Sequence, residues 1–421
     1  MKKSYFRSGI LLCLVLITAC TSQSTGTPAN PTTTSPALTA EIPSTTSGQP
    51  TASAKPFDTT TDFPAATSVA LTLAGDTLYM ITGHEHSLYV SRSTNGGKTF
   101  TEPASPTGHQ TAHVLRVERP AISANEGGKV AIAWLELNFE GGDNKVWYAQ
   151  SLDSGQTFES PRLVSEDPPG ESAMVTVLLD ADNNPILTWL SGNHLHFARS
   201  SDGGESFSPA KEIGKGACEC CQPAMLQNGN DLLVAYRGMS ADEDGAFRDA
   251  ALIRSMDGGE TFGPVSFATD SHWYIDACPI SGPSITTQDE AIYMTWMDGR
   301  AVAPDNLMSS DVWVAESKDD GETFTPNVKV SGSRSTHNFL PVLAVGPGGR
   351  IHIAWPAISP DAIYYAASDD GGQSFTGPQV IADDAQGRPA VPSMVIDPRG
   401  RVYLAWLDDS GLRLAVWQDM N

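Results

Sequence analysis

One short pattern, repeated six times, constrains this chain more than any other feature. Its first copy reads Ser93-Thr94-Asn95-Gly96-Gly97-Lys98-Thr99-Phe100. The others are SLDSGQTF from Ser151, SSDGGESF from Ser200, SMDGGETF from Ser255, SKDDGETF from Ser317 and SDDGGQSF from Ser368. The common form is Ser-x-Asp-x-Gly-x-Thr/Ser-Phe, and successive copies start 49 to 62 residues apart. Repetition at such a period means that one small unit is built many times over, each copy burying its apolar surface against its neighbours.

The unit has a plain local reading. Asp accepts hydrogen bonds from backbone N–H groups further along the chain, and Gly supplies the positive φ of a tight turn. The terminal Phe packs back onto the sheet. The pattern resembles the Asp-box (BNR) repeat of the sialidase-like β-propellers. In that family the box is a hairpin between the third and outermost strands of a blade, away from the central channel. Its role there is structural, so the resemblance implies a fold and leaves the activity open. Five copies keep the Asp, while the first carries Asn95.

Each repeat also has a recognisable start, small and apolar after proline: Pro120-Ala121-Ile122, Pro223-Ala224-Met225, Pro283-Ser284-Ile285, Pro341-Val342-Leu343 and Pro392-Ser393-Met394. Ser172-Ala173-Met174 and Ser68-Val69-Ala70 complete the series. A second strand ends in a small residue and an aromatic, as in Ala133-Trp134, Thr188-Trp189 and Ala235-Tyr236. Short β-branched and aromatic runs bounded by Gly, Asp and Asn are strand signals, and no stretch after the leader sustains a helical period. The expectation is an all-β β-propeller of four-stranded antiparallel blades. Seven starts favour seven blades, with six as the alternative. The last unit ends at Asn421 without a box, so an N-terminal strand near Phe57–Phe63 is expected to close the ring and cover its open edge.

The chain before the repeats reads differently. Lys2, Lys3 and Arg7 precede an apolar run, Ile10 to Ile17, too short to span a bilayer. Ile17-Thr18-Ala19-Cys20 resembles the lipobox of bacterial lipoproteins. The resemblance implies a signal peptide over 1–19 and a lipid on Cys20. The expected location is therefore outside the cytoplasm, on the cell membrane or cell surface, with the bilayer as one partner. Residues 20–56 are rich in Thr, Ser and Pro and cannot bury enough surface to order themselves; they read as a tether. The propeller is placed at 57–421, and a monomer is expected. The formal charge is −23; without Lys2, Lys3 and Arg7 it is 23 basic against 49 acidic side chains, or −26. Such an acidic exterior excludes nucleic acid as a partner.

In propellers, side chains from all blades converge where the segments leading into the innermost strands meet. Two lead-ins stand out. Before blade four the chain reads Cys218-Glu219-Cys220-Cys221-Gln222, and before blade five His272-Trp273-Tyr274-Ile275-Asp276-Ala277-Cys278. These four cysteines lie 57 to 60 residues apart across the two segments, at equivalent places of neighbouring blades. An exported protein favours disulfides, with Cys221–Cys278 or Cys218–Cys278 able to join two blades. Clustered thiolates with His272 and Asp276 nearby suit a soft ion, copper as Cu(I) or zinc. Arg119, Arg237, Arg248, Arg300, His337 and Arg388 approach the same face and are candidate ligand-binding residues, Arg for its bidentate match to carboxylate.

True sialidases carry an Arg-x-Pro start, an arginine triad, a Tyr–Glu nucleophile pair and an Asp acid. Here Arg119-Pro120 lacks the intervening residue, and neither Tyr236 nor Tyr274 has an evident Glu partner. The sequence therefore points to a membrane-anchored propeller that binds a small molecule, a glycan or a metal in a Cys/Arg-lined funnel. An exo-glycosidase of the exo-α-sialidase type with a diverged site is the alternative.

Overall fold

The structure, a computed structural model, describes residues 53–56, 66–136, 145–165, 172–242, 245–269, 271–275, 277–300, 309–333, 337–383, 391–409 and 411–419. They form seven antiparallel sheets arranged as the blades of a β-propeller. The innermost strands are Ser68–Ala74, Ala121–Ala124, Ser172–Leu179, Ala224–Asn228, Ser284–Gln288, Val342–Val345 and Ser393–Ile396. Every one of the seven starts read from the sequence coincides with one of them. Each innermost strand packs on the next, and the last returns to the first.

The proline-small-apolar pattern has a physical reason. A small residue there lets adjacent blades approach, and a Ser also ties them together. Ser393 Oγ accepts the Leu71 N–H at 2.9 Å where the ring closes, Ser284 accepts Leu343 N–H at 3.2 Å, and Ser123 accepts Leu179 N–H at 3.1 Å. The aromatic that ends each second strand fills the space between sheets. Trp134, Trp189, Trp296, Trp355 and Trp406 are at most 2% exposed. Truncating any one to Ala costs about 3–5 kcal/mol.

The six boxes follow the third strands and share one hydrogen-bond scheme. Asp153 accepts from the backbone of Gln156 and Thr157 and from the Thr157 hydroxyl (3.0, 2.9 and 2.6 Å). Ser151 Oγ donates to Asp153 and accepts the Gly155 N–H at 2.8 Å. The Thr157 hydroxyl and N–H hold the Asp153 carboxyl down at about 2. Asn95 keeps the backbone contacts and donates its amide to Thr99 Oγ1 at 2.7 Å instead.

The box glycine explains why the pattern is kept. It seats the hairpin on the preceding blade. Gly259 (φ +96°) lies so close to Phe197 of blade three that an added Cβ would stand 2.4 Å from the ring. Gly321 meets Leu252 of blade four in the same way, Gly204 meets Tyr148 of blade two, and Gly97 meets Leu414 of blade seven. Blades six and seven meet through a different contact. Asp419, just after the third strand of blade seven, pairs with His352 and Arg350 of blade six at 3.3 and 3.2 Å.

The closing strand exists but sits earlier than expected. Ser53–Pro56 pairs antiparallel with Gly411–Gln418, Ser53 opposite Val416 and Pro56 opposite Arg413. The expected segment, 57–63, lies outside the described residues, and the strand falls in the stretch read as tether. An outermost strand contributes mainly backbone groups, so it needs no apolar alternation, and a terminal Pro is tolerated at an edge. No described helix is long and apolar enough to cross a membrane.

Candidate functional site

The lead-ins of blades four and five do meet. The chain at 216–221 lies along the second strand of blade four, held by Cys218 N–H to Arg237 O at 2.8 Å and Met239 N–H to Gly216 O at 2.5 Å. A turn closes with Cys221 N–H on Cys218 O at 3.0 Å. Gly282 of blade five packs directly on Gln222; a Cβ there would fall 1.9 Å from the Gln222 carbonyl, so only glycine fits. Gln222 in turn reaches back to blade two, accepting the Arg119 N–H at 3.1 Å and donating to the Arg119 carbonyl at 2.8 Å. Ser281 Oγ accepts the Leu340 N–H of blade six. The lead-ins of four blades are thereby locked together.

All four sulfurs converge. The Sγ atoms of Cys218, Cys220, Cys221 and Cys278 lie within 4.8 Å of one another. Cys221 Sγ is 3.1 Å from Cys218 Sγ, and Cys218 Sγ is 3.5 Å from Cys220 Sγ. Cys220 is joined to Cys278 by a disulfide. This differs from both bridges named from the sequence. Cys218 and Cys221 turn inward, 4% and 1% exposed, where backbone N–H groups of Cys220 and Ser281 meet their sulfurs. Cys220 is half-buried and Cys278 exposed, so the outer side of the turn faces blade five.

The two buried thiols share a hydrogen bond, Cys221 donating to Cys218. The hydrogen bond from Cys221 pulls the Cys218 thiol down, helped by the Cys220 N–H and the positive charges of Arg237 and Arg248. Burial pushes Cys221 up, with Cys218 adding to it.

The arginines divide. Arg237 is fully buried as the floor of the cluster. Its Nε and Nη2 donate to Ser281 O (3.2 and 2.9 Å), Nη2 to Met297 O (2.8 Å) and Nη1 to Arg248 O (3.1 Å), and Trp273 stacks 5.8 Å away. Arg248 lies alongside, with its Nη1 on Phe247 O at 3.3 Å. Arg300 is elsewhere, at the outer seam of blades four and five. It grips Asp298 (2.6 to 3.0 Å), Asn327 (2.7 Å) and Thr269, over the Trp313 ring at 4.5 Å. His337 bonds Ser310 at 3.0 Å and stacks on Phe339 at the seam of blades five and six. His272 is exposed and turns to Asp249, 3.3 Å away, not to the sulfurs. Burial raises the Asp249 carboxyl, against the opposing Trp273 N–H. Asp276, Arg388 and Cys20 lie outside the described residues.

Sequence reasoning passed over the packing role of Arg237 and two further features. Arg237 is a structural floor, visible only once Ser281 and Met297 are placed. Ile280, two residues after Cys278, holds φ +48°, a conformation costing a β-branched residue about 1–3 kcal/mol. Glu118, adjacent to Arg119, is 7% exposed, accepts the Val175 N–H, and leaves Oε2 without a donor. It borders a partly open cleft shared with His113 and Trp134. Burial raises the Glu118 carboxyl to about 8 and lowers Arg119 to about 10.

The fold has known counterparts. An ulvan lyase, a polysaccharide lyase bound to a GlcA–Rha3S ligand, superposes with a TM-score of 0.55 at 11% identity, over 83% of this chain and 92% of that one. A Penicillium chrysogenum α-L-arabinanase matches with a TM-score of 0.50 at 13% identity, over 73% and 94%. An intramolecular trans-sialidase from Ruminococcus gnavus matches at 0.49 and 14% identity, over 73% and 95%. No family model and no curated protein matches the chain. At these identities the likeness shows a shared β-propeller fold.

Proposed function

We propose that this propeller binds one soft metal ion, Cu(I) or Zn(II), through Cys218, Cys220, Cys221 and Cys278, and that a lipid on Cys20 holds it outside the cytoplasm. The observation that carries the reading is the convergence of four sulfurs from two blades within 4.8 Å. A tetrahedral Zn(Cys)₄ centre has Zn–S bonds of about 2.3 Å and hence S···S spans of about 3.8 Å, inside that envelope. Thiolates select Cu(I) and Zn(II) over harder ions. Four thiolates around Zn(II) leave two negative charges, and Arg237 and Arg248 supply two positive ones beside Cys218. The N–H groups of Cys220 and Ser281 at the sulfurs are the outer-shell donors that orient such ligands.

The exo-glycosidase alternative draws support from the propeller shared with an arabinanase and a lyase. Against it, Arg237 and Arg300 commit their guanidinium groups to protein acceptors. That alternative requires hydrolysis of fluorogenic sialosides, lost in Arg237→Ala and Arg300→Ala.

Elemental analysis and thiol counting on the full chain, purified anaerobically with reductant, test the metal reading. One equivalent of copper or zinc with four thiols recovered after chelation is expected. Two disulfides and no metal, under reducing and oxidising preparation alike, would overturn it.

A further inference from the structure

The four sulfurs are not equivalent, and their differences suggest how the site is controlled. Cys220 and Cys278 form the outer pair, bridged across two blades and open to solvent through Cys278. Cys218 and Cys221 form the inner pair, from one turn of one blade, sealed from solvent and 3.1 Å apart. The inner pair is held independently of the outer. Its turn is closed by Cys221 N–H on Cys218 O, its back by Cys218 N–H on Arg237 O, and its floor by the Arg237 cage. None of these contacts is made by the sulfur of Cys220 or Cys278.

We infer that the outer pair is a redox gate that sets which metal the site keeps. The inference rests on the soft-metal reading above. With all four cysteines reduced, the site offers four thiolates and takes Zn(II) or Cu(I). With Cys220–Cys278 closed, only Cys218 and Cys221 remain. Two thiolates satisfy Cu(I), a d¹⁰ ion that accepts low coordination, whereas protein-held zinc needs three or four ligands. The closed gate therefore releases zinc and retains copper.

The gating step balances with a small-molecule disulfide as oxidant. The exposed Cys278 thiolate attacks one of its sulfurs, forming a mixed disulfide and expelling the first small thiolate. Cys220 then attacks Cys278 Sγ, closing the protein bridge and expelling the second. Two electrons pass to the small disulfide, which leaves as two thiols. Access favours this order, since the attacking sulfur is the exposed one and the inner pair is shielded by protein.

The test uses the full chain, stripped of metal and fully reduced, in two states: as such, and after treatment with oxidised glutathione, with the bridge located by peptide mapping. Each is loaded anaerobically with one equivalent of Zn(II) or Cu(I), desalted and assayed for bound metal. The reduced chain should hold either ion. The oxidised chain should carry a single Cys220–Cys278 bridge, hold Cu(I) near one equivalent, and lose at least tenfold in zinc affinity. A Cys220→Ser/Cys278→Ser double variant should copy the oxidised behaviour without oxidant. Zinc retained behind the closed gate, copper lost with zinc, or a first bridge at Cys218–Cys221 would overturn the gate while leaving the metal reading intact. A reduced chain that binds neither ion would instead remove the metal reading and the gate with it.

Discussion

The box rim and the blade-four/blade-five corner are built by opposite rules. The rim repeats one device six times. Each box uses its own Ser and its Asp, or Asn95 in the first, to fold itself, and its Gly to seat on the neighbour. The corner occurs once. Its sulfurs, its Arg237 floor and its Gly282 contact bring together segments 44 to 60 residues apart, and among the described residues no other blade has such a sulfur cluster. Redundancy makes the rim tolerant of change, and singularity makes the corner intolerant. A fold can keep a costly, unrepeated cluster of this kind because six ordinary seams hold the rest of the ring.

Breaking the corner at its floor should give the largest effect. Arg237→Ala removes a buried cation and strands the carbonyls of Ser281, Met297 and Arg248. We expect a loss of about 3–5 kcal/mol in urea unfolding. Arg237→Lys should not restore it, because one ammonium cannot serve three carbonyls in a planar fork. If Arg237→Ala melts like the parent, the floor is dispensable and the contrast fails.

The buried acid on the same face gives a pH-dependent test. Glu118 ionises near 8 when folded, against 4.5 as the ordinary value. A raised folded pKa means that stability is fully present below about 4.5 and is lost as pH rises through 8. Glu118→Gln should therefore gain about 4 kcal/mol at pH 8 and almost nothing at pH 4. Equal effects at both pH values would show that Glu118 is not held neutral.

The seams come next. Asp419→Ala leaves His352, which is fully buried, and Arg350 without their shared partner, and should cost about 2 kcal/mol in thermal or urea unfolding. Alanine at a box aspartate such as Asp257 should cost less, because that side chain is exposed and five other boxes remain. A larger loss at Asp257 than at Asp419 would invert the argument about redundancy. The smallest effect is collective. The box carboxyls Asp153 and Asp257 are held at about 2 when folded, against 3.8 ordinarily. A depressed folded pKa contributes stability above about 3.8 that is lost as pH falls through 2. The melting temperature should thus decline between pH 4 and 2, and replacing box Asp with Asn should flatten that decline.

The same contrast explains what was legible in the sequence. A box folds itself, so Ser-x-Asp-x-Gly exposes its purpose within eight residues. The seven innermost strands were readable for a similar reason, since serines in several of them bond the next blade directly, as Ser123, Ser284 and Ser393 do. The strand at Ser53–Pro56 was misplaced because it lends backbone to Gly411–Gln418 and its side chains carry no pattern. The proximity of the four cysteines followed from the ring. Their pairing did not, because C-x-C-C leaves the direction of each sulfur to a turn that only Arg237 and Ser281 define. Arg237 and Arg300 read alike from the sequence, both as candidate ligand-binding residues on one face. Their cages are made by residues distant in sequence, so nothing local distinguished a structural arginine from a binding one.

X-ray absorption at the metal edge of the fully reduced, zinc-loaded chain tests the central claim most directly. Four sulfur scatterers at about 2.3 Å are expected, falling to fewer in Cys218→Ser/Cys221→Ser. A shell dominated by nitrogen or oxygen would contradict the four-cysteine site.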